Sequence, residues 1–162
     1  MIVALLAAVA FNPIDGLAVG DRVAFTANTL SGASIASSKL TGRPTVLVLW
    51  GPWSHGSSRA LVDLTNLSRT DKRARFVGLA SWDEPANVKG FLATVSGVDL
   101  EMWVDPAQKN VSDSIAVKVF KTRRFPSVYV LDSTQQVVGS FLGYKSTDDV
   151  AALITKAIGR ED

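Results

Sequence analysis

The sequence predicts a single α/β domain, a mixed central sheet with helices on both faces. Three observations carry that expectation. Residues 45–50 (TVLVLW), 75–80 (RFVGLA) and 101–104 (EMWV) are short apolar runs, the pattern of strands buried on both sides. Segments with apolar residues at helical spacing alternate with them, as parallel strands joined by crossover helices require. Two further apolar runs then flank Asp132-Ser133-Thr134, and a last amphipathic segment follows, which adds antiparallel strands at one side. The length of 162 residues, with 47% hydrophobic and 20% charged residues, suits one domain with its own core.

Each element can be justified in order. Residues 2–10 (IVALLAAVA) are continuously apolar but too short to span a membrane, which takes about 20 residues. Ala8-Val9-Ala10 has the form of a signal-peptidase site, although no Lys or Arg precedes the run. The stretch therefore reads either as a secretory-signal remnant or as a short buried helix or strand. Asn12-Pro13 and Asp15-Gly16 mark turns. Residues 22–27 (RVAFTA) read as a strand, Leu30-Ser31-Gly32 as a turn and 34–40 as a second extended piece. Gly42-Arg43-Pro44 breaks the chain before the central strand at 45–50. Beyond Gly51-Pro52 the period changes: Ala60, Leu61, Leu64 and Leu67 set a helix over 57–68. The strand at 75–80 leads to a helix over 84–95, with Val88, Phe91 and Leu92 on one face. The strand at 101–104 leads to a third helix over 110–119. Residues 127–131 and 136–142 form a hairpin. A helix over 147–158 turns Val150, Leu153, Ile154, Ala157 and Ile158 inward.

Composition removes several kinds of chemistry. There is no cysteine and only one histidine, so disulfides, thiol catalysis and a Cys/His zinc site are all excluded. No metal and no other cofactor is expected. The net charge is +2 and no long basic run exists, so no nucleic-acid partner is expected either.

Chemistry should gather where the central strand gives way to the first helix, at Trp50-Gly51-Pro52-Trp53-Ser54-His55-Gly56-Ser57-Ser58-Arg59. Functional residues of open α/β sheets collect at the carboxyl ends of strands, and a helix N-terminus offers free N–H groups there. Pro126, between Phe125 and a strand, is a candidate for a cis bond.

These segments resemble a known family. Trp53-Ser54-His55-Gly56-Ser57 with Arg59 is similar to the W-C-x-x-C-R stretch of thioredoxin-fold proteins, with serine at both cysteine positions. Gly42-Arg43-Pro44-Thr45-Val46 resembles the lead-in L-x-G-K-P-V, and residues 25–32 resemble the F-T-L-x-x-L-D-G hairpin of the TlpA/ResA-like redoxin branch. Ser81-Trp82-Asp83-Glu84 is similar to its V-D-E stretch. Arg124-Phe125-Pro126-Ser127 followed by Val128-Tyr129-Val130-Leu131-Asp132 resembles G-I-P-T-T-F-L-I-D, whose proline is cis in that family. Gly143 stands at the family's glycine after the last strand. The resemblance implies a thioredoxin-like fold over 18–162, with an N-terminal β-hairpin extension and a separate apolar segment at 1–17. It also implies an extracytoplasmic setting, a monomer, and a membrane-tethered redox partner for a version with cysteines.

By the same resemblance Ser54 takes the attacking position and Ser57 the resolving one. Trp53, His55, Phe125 and Pro126 would line a groove for a protein or peptide substrate. The chemistry itself does not transfer. A thiol pKa of ~8.5 falls to ~3.5–7.5 beside a helix end or a cation. A helix end supplies at most ~2 kcal/mol and one pKa unit needs ~1.36, too little to ionise a hydroxyl. Two serines cannot store electrons as a disulfide. The chain therefore reads as a redox-inactive member, by natural divergence or by Cys→Ser substitution. The second reading is a non-catalytic peptide-binding module.

Other readings of the same residues are weaker. A nucleophile elbow needs glycine two before the serine, where Pro52 stands, and His55 is adjacent to Ser54 in the chain. A peroxiredoxin needs a cysteine the chain lacks. Ser54 alone would be explained as an N-cap of the first helix. Asp83 and Glu84 would cap the second helix. Trp50 is expected inside and Trp53 at least partly exposed. Lys118, Lys121, Arg123 and Arg124 form the densest basic cluster, a solvated face or a selector of an acidic partner.

Overall fold

In the computed structural model, which describes residues 16–160, alternation along the strands decides what each residue meets. The strands are β1 (Thr26–Thr29), β2 (Ser34–Ala36), β3 (Thr45–Trp50), β4 (Arg75–Ala80), β5 (Glu101–Val104), β6 (Ser127–Leu131) and β7 (Val137–Leu142). They form one sheet in the order β2-β1-β5-β4-β3-β6-β7. β3, β4 and β5 run parallel, whereas β1–β2, β1–β5, β3–β6 and β6–β7 pair antiparallel. The helices are α1 (Ser57–Thr70), α2 (Pro85–Thr94), α3 (Ile115–Lys118) and α4 (Thr147–Ile158). Val46, Val48 and Trp50 of β3 face Leu61 and Leu64 of α1, Val88 of α2, and Val150 and Ile154 of α4. Leu47 and Leu49 face the opposite cluster, with Ile115 and Ala116 of α3, Phe120, Val23 and Leu40. Both faces of the central strand are thus covered, which is why all six of its residues are apolar or small and buried. At Gly78, in the middle of β4, a Cβ would lie 2.5 Å from the sulfur of Met102 and 3.1 Å from Trp50 Nε1. Only glycine leaves room there for β5 and β3 to pack side by side.

The ranges for β3, β4, β5, β6 and α4 match the sequence reading, and α1, α2 and β7 agree within two residues at their ends. Three segments differ. The strand expected at 22–27 begins only at Thr26. Arg22 makes an isolated bridge to Gln136, and Val23 N–H donates to Gln135 C=O at 3.0 Å, so this stretch crosses the β6–β7 turn before joining β1. The extended piece expected at 34–40 ends at Ala36, where a 3-10 turn (Ser37–Leu40) buries Leu40. The helix expected over 110–119 is a 3-10 turn (Val111–Asp113) and the short α3. Ser114 splits them. Its extended backbone cannot continue a helix, and its Oγ accepts from Val117 N–H at 3.3 Å as an N-cap. Buried Asp105 holds the same loop by accepting from Ala107 N–H and from Ile115 N–H.

Gly16 N–H donates to Lys121 C=O at 2.7 Å and Leu17 packs on the core, so the chain is docked from its first described residues. The apolar run at 2–10 lies outside the described residues. Among the described residues no helix is long and apolar enough to cross a membrane.

Candidate functional site

β3 delivers its last residue, Trp50, fully buried, and the chain then turns over Gly51-Pro52 to start α1. Ser54 N–H donates to Gly51 C=O at 3.0 Å, and Ser57 N–H donates to Ser54 C=O at 3.3 Å. The residue in the N-cap position of α1 is Gly56, with φ +88°. The N-cap role expected of Ser54 is therefore overturned, since the loop needs a left-handed residue at the cap and only glycine adopts that without strain. A Cβ on Gly56 would lie 3.9 Å from Pro126 Cδ, so the helix start and the proline loop meet at this point.

The two serines occupy different environments. Ser54 is half-buried, and Ser57 is fully buried, with its Oγ accepting a long 3.5 Å hydrogen bond from Gly51 N–H. His55 is exposed and makes no hydrogen bond to Ser54, so no nucleophile–base pair exists here. In the loop that faces the start of α1 the Phe125–Pro126 bond is cis, Pro126 is buried, and its C=O accepts from Gly143 N–H at 3.0 Å. Ser127 Oγ donates to Arg124 C=O at 2.6 Å. The backbone N–H and C=O of Phe125 find no hydrogen-bond partner among the described residues. Of the sequence-derived residues, Trp53 meets Phe125 and the helix start at Gly56 meets Pro126, while Ser57 is buried at the first turn of α1 and His55 is exposed.

The sequence reading passed over Trp82. Its backbone has φ +62°, a conformation that costs an L-residue about 1–2 kcal/mol and is rare for a bulky side chain. Its indole ring stacks on Trp53, with centroids 5.2 Å apart and planes 12° apart, and packs against Phe125 at 4.6 Å. Trp53 meets Phe125 edge-on at 5.1 Å. Both indole N–H groups are committed, Trp53 Nε1 to Ser81 C=O at 3.1 Å and Trp82 Nε1 to Ser114 Oγ at 3.0 Å. Trp53 is 47% exposed and, with Val19, is one of two exposed large apolar residues among those described. A signal for Trp82 was available, since it follows β4, the parallel neighbour of β3, and ligand sites form beyond the carboxyl ends of such strands.

A cleft of about 420 Å³ opens beside these rings, lined by Trp53, Trp82, Asp83, Lys109 and Val111. Glu84 occupies the N-cap position of α2, but its side chain does not cap; it pairs instead with Lys109 Nζ at 3.2 Å. Asp83 Oδ1 accepts from Glu84 N–H and from Asn87 Nδ2, neither of them a free backbone N–H of the first turn, so neither side chain makes the capping bond expected of this pair. Of the basic cluster, Lys118 pairs with Asp113 at 2.6 Å and Lys121 Nζ donates to Lys118 C=O, while all four side chains lie exposed. Below the cleft, burial pushes the Asp105 carboxyl above the usual range, opposed by the N–H groups of Ala107 and Ile115. Beside the groove, burial and a hydrogen bond to Asp63 (2.9 Å) push the Tyr144 hydroxyl well up, so it stays protonated.

The redoxin family model matches residues 18–155, spanning both serine positions and Pro126. The chain belongs to the redoxin family. Among curated proteins it is similar to the "soluble secreted antigen MPT53" of Mycobacterium tuberculosis, 31% identical over 82 residues, 51% of this chain and 47% of that protein. The chain thus spans about half the length of the curated relatives it matches. Among solved structures, M. tuberculosis DsbF superposes with a TM-score of 0.68 at 20% identity, covering 82% of this chain and 94% of that one. A thiol:disulfide interchange protein DsbE from Chlorobium tepidum gives 0.70 at 18% identity, covering 87% and 98%. These likenesses establish a thioredoxin-like fold. Thiol–disulfide exchange needs a cysteine thiolate, and this redoxin chain has no cysteine.

Proposed function

We propose that this redoxin is a TlpA/ResA-type member without redox activity, and that it works as a peptide-binding module outside the cytoplasm. What supports the absence of redox activity is that the chain has no cysteine. Ser57, at the resolving position, is sealed from solvent, and Ser54 has neither a base nor a charged partner to ionise it. The observation that carries the binding reading is the backbone of Phe125, which has no hydrogen-bond partner among the described residues. Phe125 presents an unpaired backbone N–H and C=O between buried Pro126 and the exposed Trp53 ring. An extended peptide pairs with such groups as an added strand does, its side chains resting on the aromatic surface. Support for the compartment comes from the secreted relative.

The test is titration of the protein with a short peptide carrying an S-methylated cysteine, read by tryptophan fluorescence. Saturable binding that is lost in Pro126→Ala and weakened in Trp53→Ala, with both variants folded by circular dichroism, supports the module. Absence of saturable binding by the wild-type chain would overturn it.

A further inference from the structure

We propose that the cleft beside the groove is a subsite for a cationic side chain of the bound peptide, arginine above all. The inference rests on the peptide-groove reading and specifies what that groove selects. The two tryptophans supply the floor. Their N–H groups are already committed to Ser81 and Ser114, so what they present is the face of a π-system. Trp53 lines the cleft and is 47% exposed, although the near-parallel stack on Trp82 covers one side of its ring. An indole face is the best aromatic partner for a cation, and guanidinium stacks on it while keeping its in-plane N–H groups free.

Charge at the cleft selects among apolar, anionic and cationic occupants. Lys109 is held by Glu84, which leaves Asp83 as the uncompensated group among the three. Only Oδ1 of Asp83 is engaged, by Glu84 N–H and Asn87 Nδ2, so those two bonds orient the carboxylate while Oδ2 remains available to a donor. Because Trp53, Trp82 and Asp83 line the same cleft, a guanidinium seated in it has both an aromatic surface and that oxygen as neighbours. The volume, about 420 Å³, sits at the small end of ligand pockets, room for one long side chain. The left-handed backbone of Trp82 is the feature that brings the second ring under the first, and residues held in such conformations cluster at functional sites.

The test uses four acetylated heptapeptides with a central S-methylcysteine and Arg, citrulline, Phe or Glu on both sides of it. Affinities come from tryptophan fluorescence and calorimetry. The Arg peptide should bind about fivefold tighter than the citrulline peptide, the size of a part-exposed cation–π contact, and tighter than Phe or Glu. Asp83→Asn, which keeps the Oδ1 acceptor and removes the charge, should shrink that preference, as should 0.5 M salt. Equal binding of the Arg and citrulline peptides overturns the cationic subsite and leaves the groove reading standing. Tightest binding by the Phe or Glu peptide overturns it as well, the latter shifting selection to the basic residues near Pro126. A full Arg preference in Asp83→Asn overturns the role of the carboxylate. No binding by any of the four overturns the groove reading and the subsite together.

Discussion

Replacing Trp82 by alanine and, separately, by glycine isolates the cost of its backbone conformation. Both substitutions remove the contacts to Trp53 and Phe125, each worth about 0.5–1.5 kcal/mol, and the hydrogen bond to Ser114, worth about 0.5–1.5. Either variant should therefore lose about 2–4 kcal/mol of stability, within the range for removing a large aromatic side chain. The two differ only at the backbone. Alanine keeps the penalty of φ +62°, about 1–2 kcal/mol, whereas glycine is free of it. Glycine's extra freedom in the unfolded chain returns about 0.5–1 kcal/mol of that advantage. At the middle of these two ranges the glycine variant should accordingly be the more stable by about 0.7 kcal/mol, the reverse of the usual order inside regular elements. With a urea slope of about 1–3 kcal/mol/M, its midpoint should lie about 0.2–0.7 M higher, read by circular dichroism because the fluorescence changes with the ring. An alanine variant as stable as the glycine variant would refute the reasoning. It would mean that the backbone relaxes once the ring is gone, and so that the ring imposes φ rather than the surrounding loop.

Two further predictions concern the lost chemistry and acid stability. In Ser54→Cys with Ser57→Cys, oxidised glutathione should close a disulfide, the two thiols giving up two protons and two electrons as two molecules of glutathione form, and the pair should then support insulin reduction. The helix start should hold the pKa of the first thiol below ~8.5, by up to about one unit, read from the pH dependence of alkylation; failure of the pair to oxidise would show that the loop has departed from redox geometry. Asp132 lies in the β6–β7 turn, where its burial is outweighed by the Thr134 hydroxyl, the N–H groups of Gln136 and Thr134, and the charge of Arg160, so its carboxyl sits below the usual range. A depressed folded-state pKa stabilises above the unfolded value of ~3.9, and that contribution is lost as pH falls through the folded value. Asp132→Asn keeps the Oδ1 acceptor, so it should cost about 1 kcal/mol at pH 7 and nothing below the folded pKa; an unchanged acid limb in thermal melts against pH would contradict this.

What the sequence determined by itself follows from local pattern. The runs at 45–50, 75–80, 101–104 and 127–131 are apolar throughout because strands covered on both faces have no polar side, so their extents were legible without any partner in view. The helix over 147–158 was legible for the complementary reason, one apolar stripe of Val150, Leu153, Ile154, Ala157 and Ile158. Trp53, Ser54, Ser57 and Pro126 could be named as candidate site residues because they sit on two segments that resemble motifs of the thioredoxin-fold family. Tertiary structure decided the rest. Residues 22–25 carry strand composition, yet their hydrogen bonds go to Gln135 and Ser37, neither of which is close in sequence. The helix expected over 110–119 broke at Ser114 because Asp105, ten residues before Ile115, takes its N–H. Trp82 entered the site for the same kind of reason. Its ring reaches Trp53 and Phe125 only because β4 lies parallel beside β3 and the backbone turns left-handed just past its end. Periodicity records which face of an element is buried; which two loops meet at the end of a sheet is set by long-range pairing, and composition carries no trace of it.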